Sequence, residues 1–115
     1  MKGLKEGTKY DKGKNRLELL PVSAVNEIAR VFTKGAEKYE DNNWMKGIKF
    51  SRVYGALQRH ITAWWDRNDT DEEWGISHLC HAGCCLLFLI TYTLKYKLYR
   101  KFDDRPNYEE IVNGK

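Results

Sequence analysis

The stretch Asp71 to Ile90, DEEWGISHLCHAGCCLLFLI, decides the predicted fold. It becomes apolar after Gly75 and stays so to its end, and a helix that is apolar around most of its circumference is buried in a core or in a subunit interface. Thr70 and Glu73 have the spacing of a capping box, which stabilises the first turn of a helix. We therefore predict a central helix over residues 71–101.

The composition indicates one compact domain. The chain has 115 residues, of which 42% are apolar and 13% aromatic, and no repeat or low-complexity segment divides it. Its net charge of +4 permits an anionic partner, but the basic residues are interspersed with acids, so we do not expect nucleic acid. A chain of this size buries a limited core alone, which favours self-association.

Two features favour the cytoplasm. Three closely spaced cysteines on one predicted helix do not resemble a secreted disulfide framework, and the N-terminal residues contain no apolar run typical of a signal peptide. Residues 76–94 lack Asp, Glu, Lys and Arg over a length near the minimum for a membrane helix, but they include two His, one Ser, two Thr and a Tyr. Because polar groups are costly inside a bilayer, we expect no membrane span.

The predicted fold is all-α, a compact bundle of three main helices in a single domain. Apolar residues recur at helical spacing in two segments ahead of the central helix, the first entered at Pro21 and the second capped by Ser51. An extended basic arm precedes the bundle, and a short tail with one helical turn follows it. The predicted elements are the arm over 1–20, helices over about 22–41, 51–68 and 71–101, and the tail over 103–115.

The arm carries a candidate phosphate site. Lys12, Lys14 and Arg16 place three cations around the flexible Gly13, so that one planar guanidinium and two ammonium groups can close over a phosphate. The alternative is a solvated, partly disordered tail, and the spacing alone favours it slightly.

Carboxylates and imidazoles near the helix ends indicate a divalent-metal site. Two glutamates stand three residues apart at the end of the first helix, where they can share a cation. Antiparallel packing of the helices can bring them to the acidic start of the central helix and to its two histidines. Mixed oxygen and nitrogen ligands suit Mn²⁺, Fe²⁺ or Zn²⁺ better than pure Mg²⁺ chemistry. The candidate ligands are Glu37, Glu40, Asp71, Glu73, His78 and His81.

These residues also have ordinary structural interpretations. Glu37 and Glu40 fit an exposed helical turn paired with lysines, and His60, on the margin of the second helix, is more often a hydrogen-bonded structural group than a ligand. Cys85 shares a face with the two histidines of the central helix, and the three could instead hold zinc, although a cysteine this deep in an apolar run usually serves packing.

Asn43 and Trp44 are the candidate base-binding residues. An indole and an amide beside a carboxylate site can stack on a nucleobase and hydrogen-bond to its edge. The alternative is that Trp44 anchors its loop in the core.

Three segments resemble a known family in their sequence and in their order. They are KYDKGKNRLELLP, GAEKYEDNNWMKGIKFSR and RHITAWWDRNDTDEEWGISHLCHA, which together span most of Lys9 to Leu94. The segments are similar to the small phage dATP/dGTP diphosphohydrolase family, a MazZ-type N-terminal domain. The resemblance implies kinship with the all-α nucleotide pyrophosphohydrolases of MazG type. These split a (deoxy)nucleoside triphosphate into monophosphate and pyrophosphate with divalent metal ions, usually as dimers or tetramers.

The resemblance also implies roles for particular residues. The MazG-type pattern has an ExxE on one helix and an ExxD on a following helix, with all four side chains on the metal ions. Glu37 and Glu40 match the first element, whereas the second is replaced here by His-x-x-His or by the acids of DEEWG. In an alternative alignment to this pattern, His60 corresponds to a metal ligand of the first helix. Glu37 and Glu40 then lie outside the ligand set, next to the ligands. We expect water to attack a phosphorus atom with Glu37 or Glu73 as base, and His60 is the third catalytic candidate.

The expected function is therefore hydrolysis of dGTP or dATP to the monophosphate and pyrophosphate with Mg²⁺ or Mn²⁺. The expected setting is the cytoplasm of a phage-infected or prophage-carrying bacterium. The alternative is a nucleotide-binding or regulatory module of the same fold without catalysis.

Overall fold

Three long helices dominate the structure, a computed structural model that describes residues 3–114. Met1 and Lys2 of the predicted arm, and Lys115 of the predicted tail, lie outside the described residues. The predicted all-α class with three main helices is confirmed. The helices are α1 (Val22–Lys38), α2 (Phe50–Trp65) and α3 (His78–Leu94), followed by the short α4 (Tyr96–Tyr99) and α5 (Tyr108–Val112).

Helix α3 is the central element because it packs against both other long helices. Its contact with α1 is so close that a side chain on Gly83 would meet the Cδ1 atom of Ile28 at 2.8 Å. One buried cluster joins α2 to α3 and α4, and it consists of Phe50, Val53, Leu57, Ala82, Cys85, Tyr92 and Tyr99. A second cluster joins α1 to α3 and consists of Val31, Ile76 and Cys84.

The predicted start of the central helix at residue 71 is wrong, and so is its capping box. Gly75 has a φ of +67°, a conformation that ends helical continuity, and residues 71–76 form a tight turn instead. The helix begins seven residues later, where the Ser77 hydroxyl accepts a hydrogen bond from the backbone N–H of Leu79 at 3.1 Å.

The predicted end of that helix at residue 101 is also wrong. The helical hydrogen bonding stops at Leu94, and Lys95 takes a non-helical conformation with φ −111° and ψ 44°. The segment Tyr96–Phe102 then continues at an angle of 100° to α3. Among residues 3–114 no single helix is long and apolar enough to cross a membrane, while this bent pair reaches the required length and composition.

The other two helices are shorter than predicted. Helix α1 ends at Lys38 rather than near residue 41, and α2 ends at Trp65 rather than at 68, because Arg67 takes the left-handed conformation. Ser51 does not cap α2. It lies inside the first turn, where its backbone N–H donates to the carboxylate of Asp104 at 2.8 Å. A residue distant in sequence therefore caps α2 and ties the tail to the bundle.

Two buried tyrosines fix the loop between α1 and α2. The hydroxyl of Tyr92 donates to the backbone carbonyl of Trp44 at 2.6 Å, and that of Tyr99 donates to the carbonyl of Met45 at 2.6 Å. The loop then passes the ring of Phe102 at Gly47, which has a φ of +104°. The position of Trp44 thus depends on α3 and α4, not on its own loop alone.

The predicted arm is extended and exposed over its described residues, apart from two short turns. One is closed by the hydrogen bond from the backbone N–H of Lys14 to the carbonyl of Asp11 at 3.0 Å, and the other lies at Leu17–Leu19. The predicted helical turn in the tail is confirmed as α5.

We predict that Gly47→Ala destabilises the protein by roughly 2–4 kcal/mol. The new Cβ would lie 2.1 Å from a ring carbon of Phe102, on a backbone conformation that alanine rarely adopts. Urea unfolding measures the change. Gly35→Ala is the matched control: it adds the same methyl group inside α1 with no atom within 4 Å, and it should stabilise by about 0.5–1 kcal/mol. Equal effects of the two substitutions would contradict the prediction.

Candidate functional site

A cleft of about 450 Å³ opens between the C-terminal half of α1, the loop that follows it and the buried side of α3. This volume falls in the range of small-molecule sites. Its floor is aromatic and sulfur-bearing, whereas its rim at the loop is polar. The rim residues are Glu40, Asp41, Asn42 and Asn43.

Two stacks of flat side chains line the cleft. In the first, the ring of Trp44 lies parallel to that of Phe88, with centroids 4.7 Å apart and 10° between the planes. In the second, His81 stacks on His60 at 4.5 Å and 10°, and its ring is also parallel to Trp74 at 5.7 Å. Parallel aromatic surfaces of this kind are suited to a planar apolar ligand group.

Asp71 holds the turn before α3 and one imidazole of the second stack. Its carboxylate accepts hydrogen bonds from the backbone N–H groups of Trp74 at 2.7 Å and Ile76 at 2.8 Å. The same carboxylate lies 2.9 Å from Nε2 of His81. Because a carboxylate can only accept, Nε2 carries the proton and Nδ1 of His81 is the acceptor nitrogen.

These hydrogen bonds also keep Asp71 ionised. Burial by itself would raise the pKa of this carboxyl group, but the bonds from His81 and from the two backbone amides outweigh it and lower the pKa from 3.8 to about 2. A fixed negative charge therefore lies beside the second stack at neutral pH.

His60 and His78 share one hydrogen bond, with their Nδ1 atoms 2.9 Å apart. The Nε2 atom of His78 is buried without a hydrogen-bond partner among the described residues. A buried acceptor without a partner is tolerated better than a buried N–H, so His78 donates from Nδ1 and His60 accepts. This tautomer leaves His60 with a proton on its Nε2 atom.

The pKa of His60 is lowered from 6.5 to about 4, chiefly by burial of the ring. The proximity of the basic side chains of His81, His78 and Arg59 contributes to this decrease, and Asp71 opposes it. The ring is therefore neutral at pH 7.

The predicted acids Glu37, Glu40 and Glu73 lie outside this cluster, on the surface. Glu37 pairs with Lys34 at 3.6 Å, and Glu73 pairs with Lys38 at 3.4 Å. Glu40 lies on the rim of the cleft, paired with a lysine of the following loop.

The six predicted metal ligands are thus not brought together. Asp71, His78 and His81 converge with His60, but their facing atoms bond to one another or to the backbone, and the three glutamates are separately paired. Within residues 3–114 no group of three or more His, Cys, Asp or Glu side chains is placed to hold a metal ion. The donors of the described residues, as they stand, do not fit a resident metal.

The alternative zinc site with Cys85 is not formed either. Burial raises the pKa of the Cys85 thiol and raises that of Cys84 to about 12. Both thiols are therefore protonated, whereas zinc binds the thiolate. Their place beside the core clusters makes them packing residues.

The predicted phosphate-binding residues lie away from the cleft. Lys12, Lys14 and Arg16 are exposed on the arm and none of them lines the cleft, and Arg16 pairs with Glu18 at 3.0 Å. Of the predicted base-binding residues, both Asn43 and Trp44 line the cleft.

Two lysines beside the cleft were missed by the sequence analysis. The ammonium group of Lys38 lies 6.0 Å from the centre of the Trp74 ring, and Lys46 pairs with Glu40 on the rim. Their position depends on where α1 ends and how the next loop folds, and no motif in the sequence signals it. Trp74 was also missed, because the sequence analysis placed it inside the predicted helix over 71–101, whereas it lies in the turn before α3.

Comparison with known proteins identifies the family of the chain. A family model described as dATP/dGTP diphosphohydrolase, N-terminal, matches residues 5–105. The chain belongs to this family of dATP/dGTP diphosphohydrolase N-terminal domains. The match includes the loop of Trp44, the DEEWG turn and all three histidines.

One relative is a dATP/dGTP diphosphohydrolase of Salmonella phage PMBT28. It is 39% identical over 83 residues, which make up 72% of this chain and 28% of the relative. The chain therefore spans less than a third of the length of that relative. No solved structure matches the chain.

We predict that stability falls as the pH is lowered from 6.5 to 4. In this window the unfolded chain binds a proton at His60 that the folded chain does not, because the folded pKa is lower. The expected loss is about 1–2 kcal/mol after allowing for the partial exposure of the ring. Urea unfolding at several pH values measures it. His60→Gln should flatten the slope, and an identical slope in this variant would contradict the prediction.

Proposed function

We propose that this chain is a nucleotide pyrophosphohydrolase domain that converts dGTP or dATP to the monophosphate and pyrophosphate. Membership of the family and the activity named for the phage relative support the reaction. The observation that supports a site is the aromatic cleft, which is lined by His81, an imidazole hydrogen-bonded to Asp71 behind it.

The base of the nucleotide is proposed to lie in the cleft beside Trp44. The indole presents a flat surface braced from behind by Phe88, and Asn43 on the rim offers both a donor and an acceptor to a base edge. A braced ring loses little conformational entropy when a ligand stacks on it, which favours binding.

The imidazole of His81 is proposed to accept a proton from the attacking water. Asp71 bonds to Nε2–H, so that Nδ1 is held as the acceptor, and the negative carboxylate stabilises the imidazolium that forms. His60, neutral and with its proton on Nε2, is proposed to donate a hydrogen bond to a phosphate oxygen. The predicted bases Glu37 and Glu73 stay predictions, and their exposed ion pairs make them the weaker candidates.

The phosphates are proposed to extend past the rim towards Lys38 and Lys46. The rim itself is acidic at Glu40 and Asp41, and would repel a bare triphosphate. We therefore propose that the substrate enters as its complex with Mg²⁺ or Mn²⁺, whose charge compensates the rim. The arm with Lys12, Lys14 and Arg16 stays a predicted phosphate-binding segment.

The proposed setting is a homo-oligomer, a dimer or a tetramer, in the cytoplasm of a phage-infected or prophage-carrying bacterium. The phage relative and the partly exposed apolar residues of α3 support it.

A second candidate function is nucleotide binding without catalysis. The observation in its favour is that the described residues assemble no metal site of their own. This alternative predicts saturable binding of dGTP with no pyrophosphate released in the presence of either metal.

We predict that the purified chain releases pyrophosphate and dGMP from dGTP with Mg²⁺ or Mn²⁺, and that His81→Gln lowers kcat by about 100-fold or more. The reason is the loss of the proton acceptor. Coupled detection of pyrophosphate measures the rate, and circular dichroism checks that the variant is folded.

Glu37→Gln and Glu73→Gln are the matched controls, because each removes a carboxylate from an exposed ion pair worth less than about 1 kcal/mol. Each should retain at least about a fifth of the activity. Loss of activity in Glu73→Gln with full activity in His81→Gln would reverse the assignment of the base. Release of orthophosphate, or no turnover with any nucleotide, would overturn the proposed reaction.

A further inference from the structure

The ammonium group of Lys38 lies at the edge of the cleft. Lys38 is the last residue of α1, and its Nζ atom is 5.6 Å from the centre of the Tyr39 ring and 6.0 Å from the centre of the Trp74 ring. Both rings line the cleft. Attraction between a cation and the faces of aromatic rings therefore favours this position for the ammonium group, where the end of α1 meets the turn before α3.

The ion pair of Lys38 with Glu73 orients this cation without saturating it. The Nζ atom lies 3.4 Å from the Glu73 carboxylate, and 47% of the Lys38 side chain and 59% of the Glu73 side chain are exposed. An ammonium group has three N–H donors, so one carboxylate leaves the others free for a second anion. Because the pair is exposed to water, a more highly charged anion can also displace the carboxylate at little cost.

The proposed position of the nucleotide decides which phosphates come near Lys38. The base is proposed to lie against Trp44, which stacks on Phe88, and Phe88 lies about 10 Å along α3 from His81. Trp74 stacks on the other end of this line, at 5.7 Å from the His81 ring, and Lys38 contacts the same indole. A phosphate chain that passes His81 on its way from the base therefore ends near Lys38.

We propose that Lys38 recognises the β- and γ-phosphates of the substrate, the part that is released as pyrophosphate. Its free N–H groups donate charge-assisted hydrogen bonds to the phosphate oxygens, and these bonds are stronger than bonds between neutral groups. Lys46 belongs to the same loop as Trp44, two residues further on, and so lies nearer the base.

This role makes inorganic pyrophosphate a ligand of the chain in its own right. It also separates the two products, because dGMP has no β- or γ-phosphate and its binding does not use Lys38. The lysine therefore sets the preference of the site for a triphosphate over the monophosphate that it yields.

The inference rests on the proposed function for the position of the nucleotide, but binding tests it without turnover. Loss of pyrophosphate binding on substitution of Lys38, in a chain that hydrolyses no nucleotide, would overturn the reaction and leave the role of the lysine. Turnover of dGTP in a chain with a dispensable Lys38 would do the opposite.

Calorimetric titration of the protein with inorganic pyrophosphate and Mg²⁺, and separately with dGMP, tests the role of Lys38. Lys38→Gln should weaken pyrophosphate binding by about tenfold or more, the effect of one charge-assisted hydrogen bond, and should leave dGMP binding within about twofold. Lys38→Arg should restore part of the affinity because it keeps the charge. Lys34→Gln is the matched control: it breaks an exposed pair with Glu37 on the same helix and should change neither affinity.

The indole N–H signal of Trp74 in nuclear magnetic resonance supplies a local readout. Pyrophosphate should shift it in the wild-type protein and in Lys34→Gln, but not in Lys38→Gln at the same concentration. No pyrophosphate binding by the wild-type protein at millimolar concentration, or unchanged binding in Lys38→Gln, would overturn the proposal. An equal loss of pyrophosphate and dGMP binding would also overturn it, because it would indicate a structural role. Circular dichroism checks that every variant is folded.

Discussion

The carboxylate of Asp71 is the interaction on which the site depends. It closes the turn ahead of α3 through two backbone N–H groups and holds an imidazole of α3 through a third hydrogen bond. A single ionised group therefore fixes both where the helix begins and which nitrogen of His81 is left as an acceptor. Since the three bonds keep its pKa low, this arrangement persists throughout the neutral range.

The rest of the cleft is held from the opposite end of α3. Tyr92 and Tyr99 bond to the loop carbonyls beside Trp44, and Phe88 supports the indole from behind. The helix thus organises the two stacks on its buried side, one at its first turns and one nearer its middle.

The sequence predicted the number of long helices, because apolar residues at helical spacing report burial directly. It did not predict where the central helix begins and ends. The capping-box pattern at Thr70 was also compatible with a turn closed by Asp71, and only the left-handed Gly75 decides between them. The cap of α2 could not be found either, because it comes from Asp104, far along the chain.

Half of the candidate site was predicted for the right physical reason. His78 and His81 were paired by helical spacing, and the structure brings two further predicted residues, Asp71 and His60, against them. The glutamates were assigned to the same cation because they are acidic and lie near predicted helix ends, whereas in the structure two of them pair with lysines at the surface. Glu37 pairs with Lys34 one turn away, and Glu73 pairs with Lys38 of another helix. Local spacing can show that two residues share a face, but not which of several faces meet.

The most direct measurement of the central claim is nuclear magnetic resonance of the protein with a non-hydrolysable dGTP analogue. If the nucleotide lies in the cleft against the imidazole held by Asp71, the ring signals of His81 and the indole N–H signals of Trp44 and Trp74 move and saturate together. Trp65 serves as an internal reference because it is 80% exposed at the end of α2, and its signal should stay in place. Saturable shifts confined to the N-terminal arm, with these three residues unmoved, would contradict the claim.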